Sequence, residues 1–108
     1  MARKGAPEAP EAGGEVLERT RTRAKPPQLF KVVLHNDDYT TMEFVVRVLE
    51  TVFNKPTAEA FRIMLQVHTQ GRGICGAYTW EIAETKVGAV HELARSEGFP
   101  LRASMEEE

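Results

Sequence analysis

The chain has 108 residues, a hydrophobic fraction of 42% and a formal charge of -2, which together suit one compact domain with its own core. The charge is unevenly spread, because residues 1–27 carry a net +2 and residues 28–108 a net -4. The acidic part lacks the clustered Lys and Arg of nucleic-acid-binding proteins, and no apolar run approaches the roughly 20 residues that cross a bilayer. We therefore expect neither a nucleic-acid-binding protein nor a membrane protein.

The single cysteine and the missing motifs limit the class of protein further. Cys75 cannot form an internal disulfide, and its apolar neighbours predict a buried structural thiol in a reducing compartment. The first residues lack the apolar block of a signal peptide, so we expect a cytoplasmic protein. The sequence contains no phosphate-binding glycine loop, no G-x-S-x-G and no H-E-x-x-H. We expect a protein that is not an enzyme and needs no cofactor.

Residues 1–27 are predicted to form a flexible arm. They contain four prolines, a Gly-Gly pair and few large apolar side chains, so they cannot bury enough surface to offset the entropy of ordering. One folded domain is expected to follow at residues 28–105, with an acidic tail at residues 106–108.

The domain is predicted to begin with a strand at residues 29–35. β-branched and large apolar side chains predominate there, and the preceding Pro-Pro pair disfavours a helix. One face of this strand comprises Phe30, Val32 and Leu34. The strand is expected to stop at the Asn-Asp-Asp sequence of residues 36–38, whose short side chains bond to nearby backbone amides and favour a turn.

Two helices are predicted after this turn. Thr40 and Glu43 have the spacing of a capping box, and apolar residues then recur at helical intervals up to a stop at residues 54–56. Thr57 is expected to cap the second helix, which should end near Gly71. The apolar face of the second helix comprises Ala60, Ile63, Met64 and Val67, and His68 lies one turn after Met64.

A second strand, a third helix and a last strand complete the prediction. Residues 74–79 suit a strand, residues 81–97 a helix that ends at Gly98, and residues 101–105 an edge strand. The apolar stripe of the third helix comprises Ala83, Val87, Val90 and Ala94. The order β-α-α-β-α-β predicts an α+β fold, a small three-stranded antiparallel sheet with three helices on one face.

The polar turn together with His68 is the main candidate site, and three interpretations are open. The simplest is a turn that caps the first helix, with His68 hydrogen-bonded in the core. A metal site made from His35, Asp37, Asp38 and His68 is another, although no established ligand spacing occurs. The third is a ligand site, because the Asn36 carbonyl, the Asp37 carboxylate and a His68 nitrogen offer three acceptors to a primary ammonium with three donors.

Met42, Met64 and His91 are further residues whose side chains could serve a function. Met42 and Met64 lie on helical stripes and suit ordinary core packing. If they border the polar cluster instead, their flexible thioethers suit a pocket that accepts apolar side chains of differing shape. His91 is predicted to be a partly exposed surface histidine.

Several segments, in order, resemble the ClpS adaptor family. Residues 36–45, which read NDDYTTMEFV, look like its signature, and residues 64–68, which read MLQVH, are similar to its M-L-x-V-H stretch. Further similarity covers residues 71–76, 81–87 and 100–101. The resemblance runs from residue 26 to 105 and leaves the preceding arm uncovered. Departures include Thr41, where many relatives have proline, and a polar segment at residues 102–104.

The resemblance implies an adaptor that binds substrates with a large hydrophobic amino-terminal residue (Phe, Tyr, Trp or Leu) and delivers them to the ClpA unfoldase of the ClpAP protease. Asn36, Asp37 and His68 would hold the α-ammonium. The implied pocket for the first side chain comprises Leu34, Thr40, Met42, Val45, Met64, Val67 and Leu101. Glu81 and Lys86 would dock on the amino-terminal domain of the unfoldase, and residues 1–25 would serve the hand-over.

Two alternatives stay open at this point. One is an interaction domain like the carboxy-terminal domain of the ribosomal stalk protein, whose fold the ClpS fold resembles; it would have no use for the three polar residues. The other is a small metal-dependent hydrolase, which lacks a plausible ligand set in this sequence.

Overall fold

The computed structural model describes residues 25–108 and contains three strands and three helices in the predicted order. The elements are β1 (Phe30–His35), α1 (Met42–Thr51), α2 (Thr57–Gln70), β2 (Arg72–Tyr78), α3 (Trp80–Glu97) and β3 (Arg102–Glu107). Residues 1–24, most of the predicted arm, lie outside the described residues. The predicted α+β fold with an antiparallel sheet is confirmed.

The sheet has the order β2-β1-β3, and both pairings are antiparallel. Val32 and Leu34 of the central strand are buried in the core that the helices share. Val33 lies on the opposite face beside Ile74 and Ser104 in the strand register, yet it is also fully buried. The alternation of side chains along β1 did not predict the burial of Val33.

The helices are placed by apolar faces that the sequence predicted well. All four residues on the predicted face of α2 are buried. On α3 the buried residues are Ala83, Val90 and Ala94, whereas Val87 is only partly buried. Gly71 and Gly98, with φ of 88° and 79°, adopt the left-handed conformation that commonly ends a helix, as predicted.

The predicted helix caps are wrong by one residue. α1 is capped by Thr41, whose hydroxyl accepts a hydrogen bond from the Phe44 N–H at 3.1 Å, and not by Thr40. Thr57 is the first residue of α2, and its hydroxyl donates to Glu50 at 2.8 Å. The Thr40 hydroxyl donates to the Asp37 carboxylate in the turn, and Thr41 has the extended backbone of an N-cap residue, with φ of -75° and ψ of 154°.

Three further details refine the domain. Cys75 is buried as predicted, and burial raises the pKa of its thiol to about 12. His91 is partly exposed as predicted, but its Nε2 also accepts a hydrogen bond from the Ala103 N–H at 3.0 Å, which ties α3 to the edge strand. Glu106 and Glu107, predicted as part of an acidic tail, belong to β3. None of the helices within residues 25–108 is long and apolar enough to cross a membrane.

Candidate functional site

Asp37 organises the polar turn between β1 and α1. Its Oδ1 accepts hydrogen bonds from the Tyr39 N–H at 2.8 Å and the Thr40 N–H at 2.7 Å, and its Oδ2 accepts one from the Thr40 hydroxyl at 2.7 Å. Partial burial raises the pKa of Asp37, but the hydrogen bonds from Thr40 and Tyr39 outweigh it and hold the pKa below its ordinary value. The carboxylate is therefore ionised at neutral pH.

The same bonds limit what Asp37 can offer to a ligand. A carboxylate has about four lone-pair sites, and three are used within the turn. One acceptor site on Oδ2 is left, together with the full negative charge. Asp37 can thus give a cationic ligand one hydrogen bond and a favourable electrostatic interaction.

Asn36 joins the turn to the end of α2. Its backbone N–H donates to the Gly71 carbonyl at 2.9 Å, while its exposed side chain makes no hydrogen bond to any group in residues 25–108. The Asn36 amide oxygen is consequently available as an acceptor. The backbone bond places this oxygen near the last turn of α2, where His68 lies.

His68 is exposed and makes no hydrogen bond or ion pair within the described part of the chain. The interpretation of His68 as a hydrogen-bonded core histidine is therefore wrong. His68 lies in the last turn of α2, one turn after the buried Met64. Its ring nitrogens are free to contact a ligand.

These groups meet at one cavity of about 430 Å3 between the turn, α1 and α2. The lining residues are Asn36, Asp37, Asp38, Tyr39, Thr40, Thr41, Met42, Val45, Met64, Val67 and His68. The structure thus brings together the three predicted polar residues and five of the seven residues predicted for the pocket. Tyr39 and Thr41 also line it, although the sequence predicts no role for them; their closeness to Asp37 in the sequence is the available signal.

Two residues predicted for the pocket do not line this cavity. Leu34 is fully buried and Leu101 is 3% exposed, and both belong to the hydrophobic core. A contact between either residue and a ligand in this cavity stays a prediction. The cavity wall is formed instead by residues of α1 and α2.

The two methionines have different positions in the cavity. Met64 is 4% exposed and belongs to the core as well as to the cavity wall. Met42 is 45% exposed at the first residue of α1. An unbranched thioether at the rim can change rotamer at low cost, so Met42 can adjust the cavity to ligands of different shape.

A metal site at this position is not supported. Among residues 25–108 there is no group of three or more His, Cys, Asp and Glu side chains arranged to hold a metal ion. The Nε2 atom of His35 lies 2.7 Å from the Ser104 hydroxyl, and His35 is not part of the cavity lining. Burial first, and Arg102 and Arg72 second, lower the pKa of His35. His35 is the last residue of β1, and its imidazole contacts Ser104 of β3 instead of the cavity.

The two residues predicted to contact an unfoldase lie on α3, outside the cavity. Glu81 is exposed in the first turn. Lys86 is partly buried, and its Nζ donates to the Val52 carbonyl at 2.8 Å and lies 5.3 Å from the Tyr78 ring centroid and 5.7 Å from that of Phe53. The Lys86 ammonium therefore already has partners at the end of α1.

Comparison with known proteins gives a consistent picture. Residues 25–104 match the family described as "ATP-dependent Clp protease adaptor protein ClpS". A ClpS adapter protein of Desulfatibacillum aliphaticivorans is 56% identical over 102 residues, which cover 94% of this chain and 98% of the relative. One from Desulforapulum autotrophicum is 63% identical over 82 residues, 76% of this chain and 79% of the relative.

A solved structure resembles the fold as well. The structure of Agrobacterium tumefaciens ClpS2 bound to L-phenylalaninamide has a TM-score of 0.74 and 40% sequence identity. The similarity covers 77% of this chain and all of the Agrobacterium chain. Phenylalaninamide has a free α-amino group and a large aromatic side chain.

Proposed function

The chain belongs to the ClpS family of adaptor proteins of the ATP-dependent Clp protease, and we propose that its cavity binds the free amino terminus of substrate proteins that begin with Phe, Tyr, Trp or Leu. The observation that supports this most directly is the meeting of Asn36, Asp37 and His68 with an apolar wall in one cavity. A protein amino terminus with a large first side chain presents the complementary groups.

The polar groups account for recognition of the amino end. A primary ammonium has three donors, and the acceptors are the Asn36 amide oxygen, the remaining site on Asp37 Oδ2 and a ring nitrogen of His68. Hydrogen bonds that involve a charged group contribute roughly 1.5–3 kcal/mol each. Acetylation of the amine removes the charge and two of the three donors, so it should abolish most of this contribution.

The apolar wall accounts for the preference for a large first residue. The wall residues from the predicted pocket are Thr40, Met42, Val45, Met64 and Val67. A volume of about 430 Å3 falls within the range of roughly 300–1,000 Å3 of small-ligand sites. Burial of a Leu or Phe side chain contributes about 1.5–3 kcal/mol. Neither contribution alone gives tight binding, so both features of the substrate are required.

Delivery to the protease is the second half of the proposal. We assign Glu81 and Lys86 on α3 to the contact with the amino-terminal domain of a ClpA-type unfoldase. Glu81 is exposed and can contact a partner directly. Lys86 donates to the Val52 carbonyl, so it holds α3 against the end of α1 and fixes the position of Glu81. Residues 1–25 take part in the hand-over, and the unfoldase supplies the ATP-driven work. The adaptor acts in the cytoplasm and performs no catalysis of its own.

One peptide in three forms tests the binding half of the proposal. The forms carry a free amino-terminal Phe, the same Phe with an acetylated amine, and a small polar residue in place of Phe. We expect binding of the first form only, measured by fluorescence anisotropy. Equal affinity for all three would contradict the proposal and favour the stalk-like interaction domain.

A degradation assay tests the delivery half. Removal of residues 1–25 should leave peptide binding unchanged but impair degradation of a Phe-initiated substrate by ClpA with its protease. Unchanged degradation by the truncated protein would show that the arm has no part in the hand-over.

A further inference from the structure

A second, mostly apolar cavity lies beside the candidate site. It has a volume of about 360 Å3 and is termed the side groove. Its lining residues are Met42, Glu43, Val46, Phe61 and Met64. Met42 and Met64 also line the first cavity, so the two spaces share a wall made of two thioether side chains.

The side groove exposes apolar surface. Phe61 is 50% exposed and Met42 is 45% exposed, although both are large hydrophobic residues. Contiguous exposed apolar surface next to a binding cavity commonly marks an extension of the binding site.

We propose that the side groove binds the side chain of the third residue of a substrate whose first side chain occupies the neighbouring cavity. This inference rests on the proposed function. In an extended peptide successive side chains point to opposite sides, so residues one and three face the same way. Their Cα atoms are roughly 6.6 Å apart, since an extended chain rises about 3.3 Å per residue. The second side chain points the other way, so the third is the next one that faces the side of the peptide on which both cavities lie.

The lining of the side groove defines the chemistry of the residue it accepts. Four of its five lining residues are apolar, which favours Leu, Ile, Met or Phe. Glu43 is the charged member, and it forms no ion pair with any group in residues 25–108. Its carboxylate disfavours an acidic third residue by like-charge repulsion.

Three labelled peptides with a free amino-terminal Phe test this assignment in the full-length chain. Their first three residues are Phe-Ala-Leu, Phe-Leu-Ala and Phe-Ala-Asp, with identical remainders, and Phe-Ala-Ala is the reference. Leu in the third position should tighten binding roughly three- to tenfold, because the groove is open and buries a Leu side chain only in part. Leu in the second position should change the dissociation constant less than about twofold, and Asp in the third should weaken binding.

Two variants of α2 locate the effect. Phe61→Ala should remove the gain from a third Leu while leaving the affinity for Phe-Ala-Ala unchanged. Leu65→Ala is the matched control, because Leu65 is 51% exposed one turn further along the same helix but does not line the side groove. It should retain the full gain. Substitution at either exposed site should leave the domain folded, which a thermal unfolding scan checks.

The outcomes separate this inference from the function on which it rests. If free-amine peptides bind and acetylated ones do not, yet a third Leu gives no gain or the gain survives Phe61→Ala, the side-groove assignment is wrong and the amino-terminus site stands. If an acetylated Phe-Ala-Leu peptide binds as tightly as the free one, the proposed function itself fails.

Discussion

The backbone N–H of Asn36 donates to the carbonyl of Gly71 at 2.9 Å, and this bond connects the polar turn to the end of α2. Asn36 follows β1 directly, and Gly71 lies between α2 and β2. Because β1 and β2 pair antiparallel, the end of the first meets the start of the second, and Asn36 and Gly71, 35 positions apart, come together. The Asn36 and Asp37 acceptors and His68 therefore share one cavity.

The charge of Asp37 can be removed with little change in shape by Asp37→Asn. The amide oxygen can still accept from the Tyr39 and Thr40 N–H groups, but the amide nitrogen cannot accept from the Thr40 hydroxyl. We expect peptide affinity to fall roughly 10- to 100-fold, from loss of a bond worth about 1.5–3 kcal/mol. Unfolding free energy should fall by only about 1 kcal/mol.

Asp38→Asn is the matched control for this experiment. Asp38 lines the same cavity and is exposed, but its carboxylate makes no hydrogen bond within the described residues. It should lose much less affinity than Asp37→Asn. Both affinities are measured by fluorescence anisotropy with the same Phe-initiated peptide. An equal loss of affinity would mean that peptide binding depends only on the net charge of the turn.

His68 on α2 and His91 on α3 should respond differently to substitution. His68→Ala should weaken peptide binding by about 1–3 kcal/mol and change unfolding free energy by less than about 0.5 kcal/mol. His91→Ala should lower the unfolding free energy and leave peptide binding unchanged, because His91 Nε2 accepts from the Ala103 N–H and lies outside the cavity. Urea unfolding and peptide titration on both variants give the comparison. A folding defect in His68→Ala would revive the core-histidine interpretation.

Lys86 is predicted to matter first for stability. Lys86→Met keeps most of the aliphatic stem but removes the hydrogen bond to the Val52 carbonyl and the cation–π contacts with Tyr78 and Phe53. We expect unfolding free energy to fall by about 1–3 kcal/mol. Glu81→Gln, one helical turn and a half earlier, should leave stability unchanged and still impair delivery to the unfoldase. If the Lys86→Met protein is as stable as the native one, Lys86 has no structural role, and direct contact with the unfoldase is the role that remains for it.

The sequence predicted the helices and strands better than the residues at which the helices begin. Periodicity reports which face of a helix is buried, and the stripes on α2 and α3 were accordingly placed well. Cap position depends on backbone geometry that neighbouring side chains decide. Two adjacent threonines could each cap α1; in the structure the Thr41 hydroxyl accepts from the Phe44 N–H, while the Thr40 hydroxyl donates to Asp37.

The candidate site was predictable in its polar part and only partly in its apolar part. Donor and acceptor counts pointed to Asn36, Asp37 and His68, although the pairing of distant segments needed the family resemblance. Whether an apolar residue faces a cavity or the core is decided by tertiary packing, so the sequence did not show that Leu34 and Leu101 lie in the core and outside the cavity lining. The Lys86 bond to Val52 spans 34 positions and leaves no local signal in the sequence.

The lowered pKa of Asp37 predicts how its contribution to stability depends on pH. A carboxyl whose folded-state pKa lies below its unfolded value stabilises the fold at pH values above the unfolded pKa, about 3.9 for Asp, and loses this contribution as pH falls through the folded pKa. The difference in unfolding free energy between the native chain and Asp37→Asn should therefore be constant from about pH 7 to pH 5 and shrink below about pH 4. Urea unfolding of both proteins across this range measures it. A difference that shrinks already near neutral pH would mean that the turn does not hold Asp37 as an ionised acceptor.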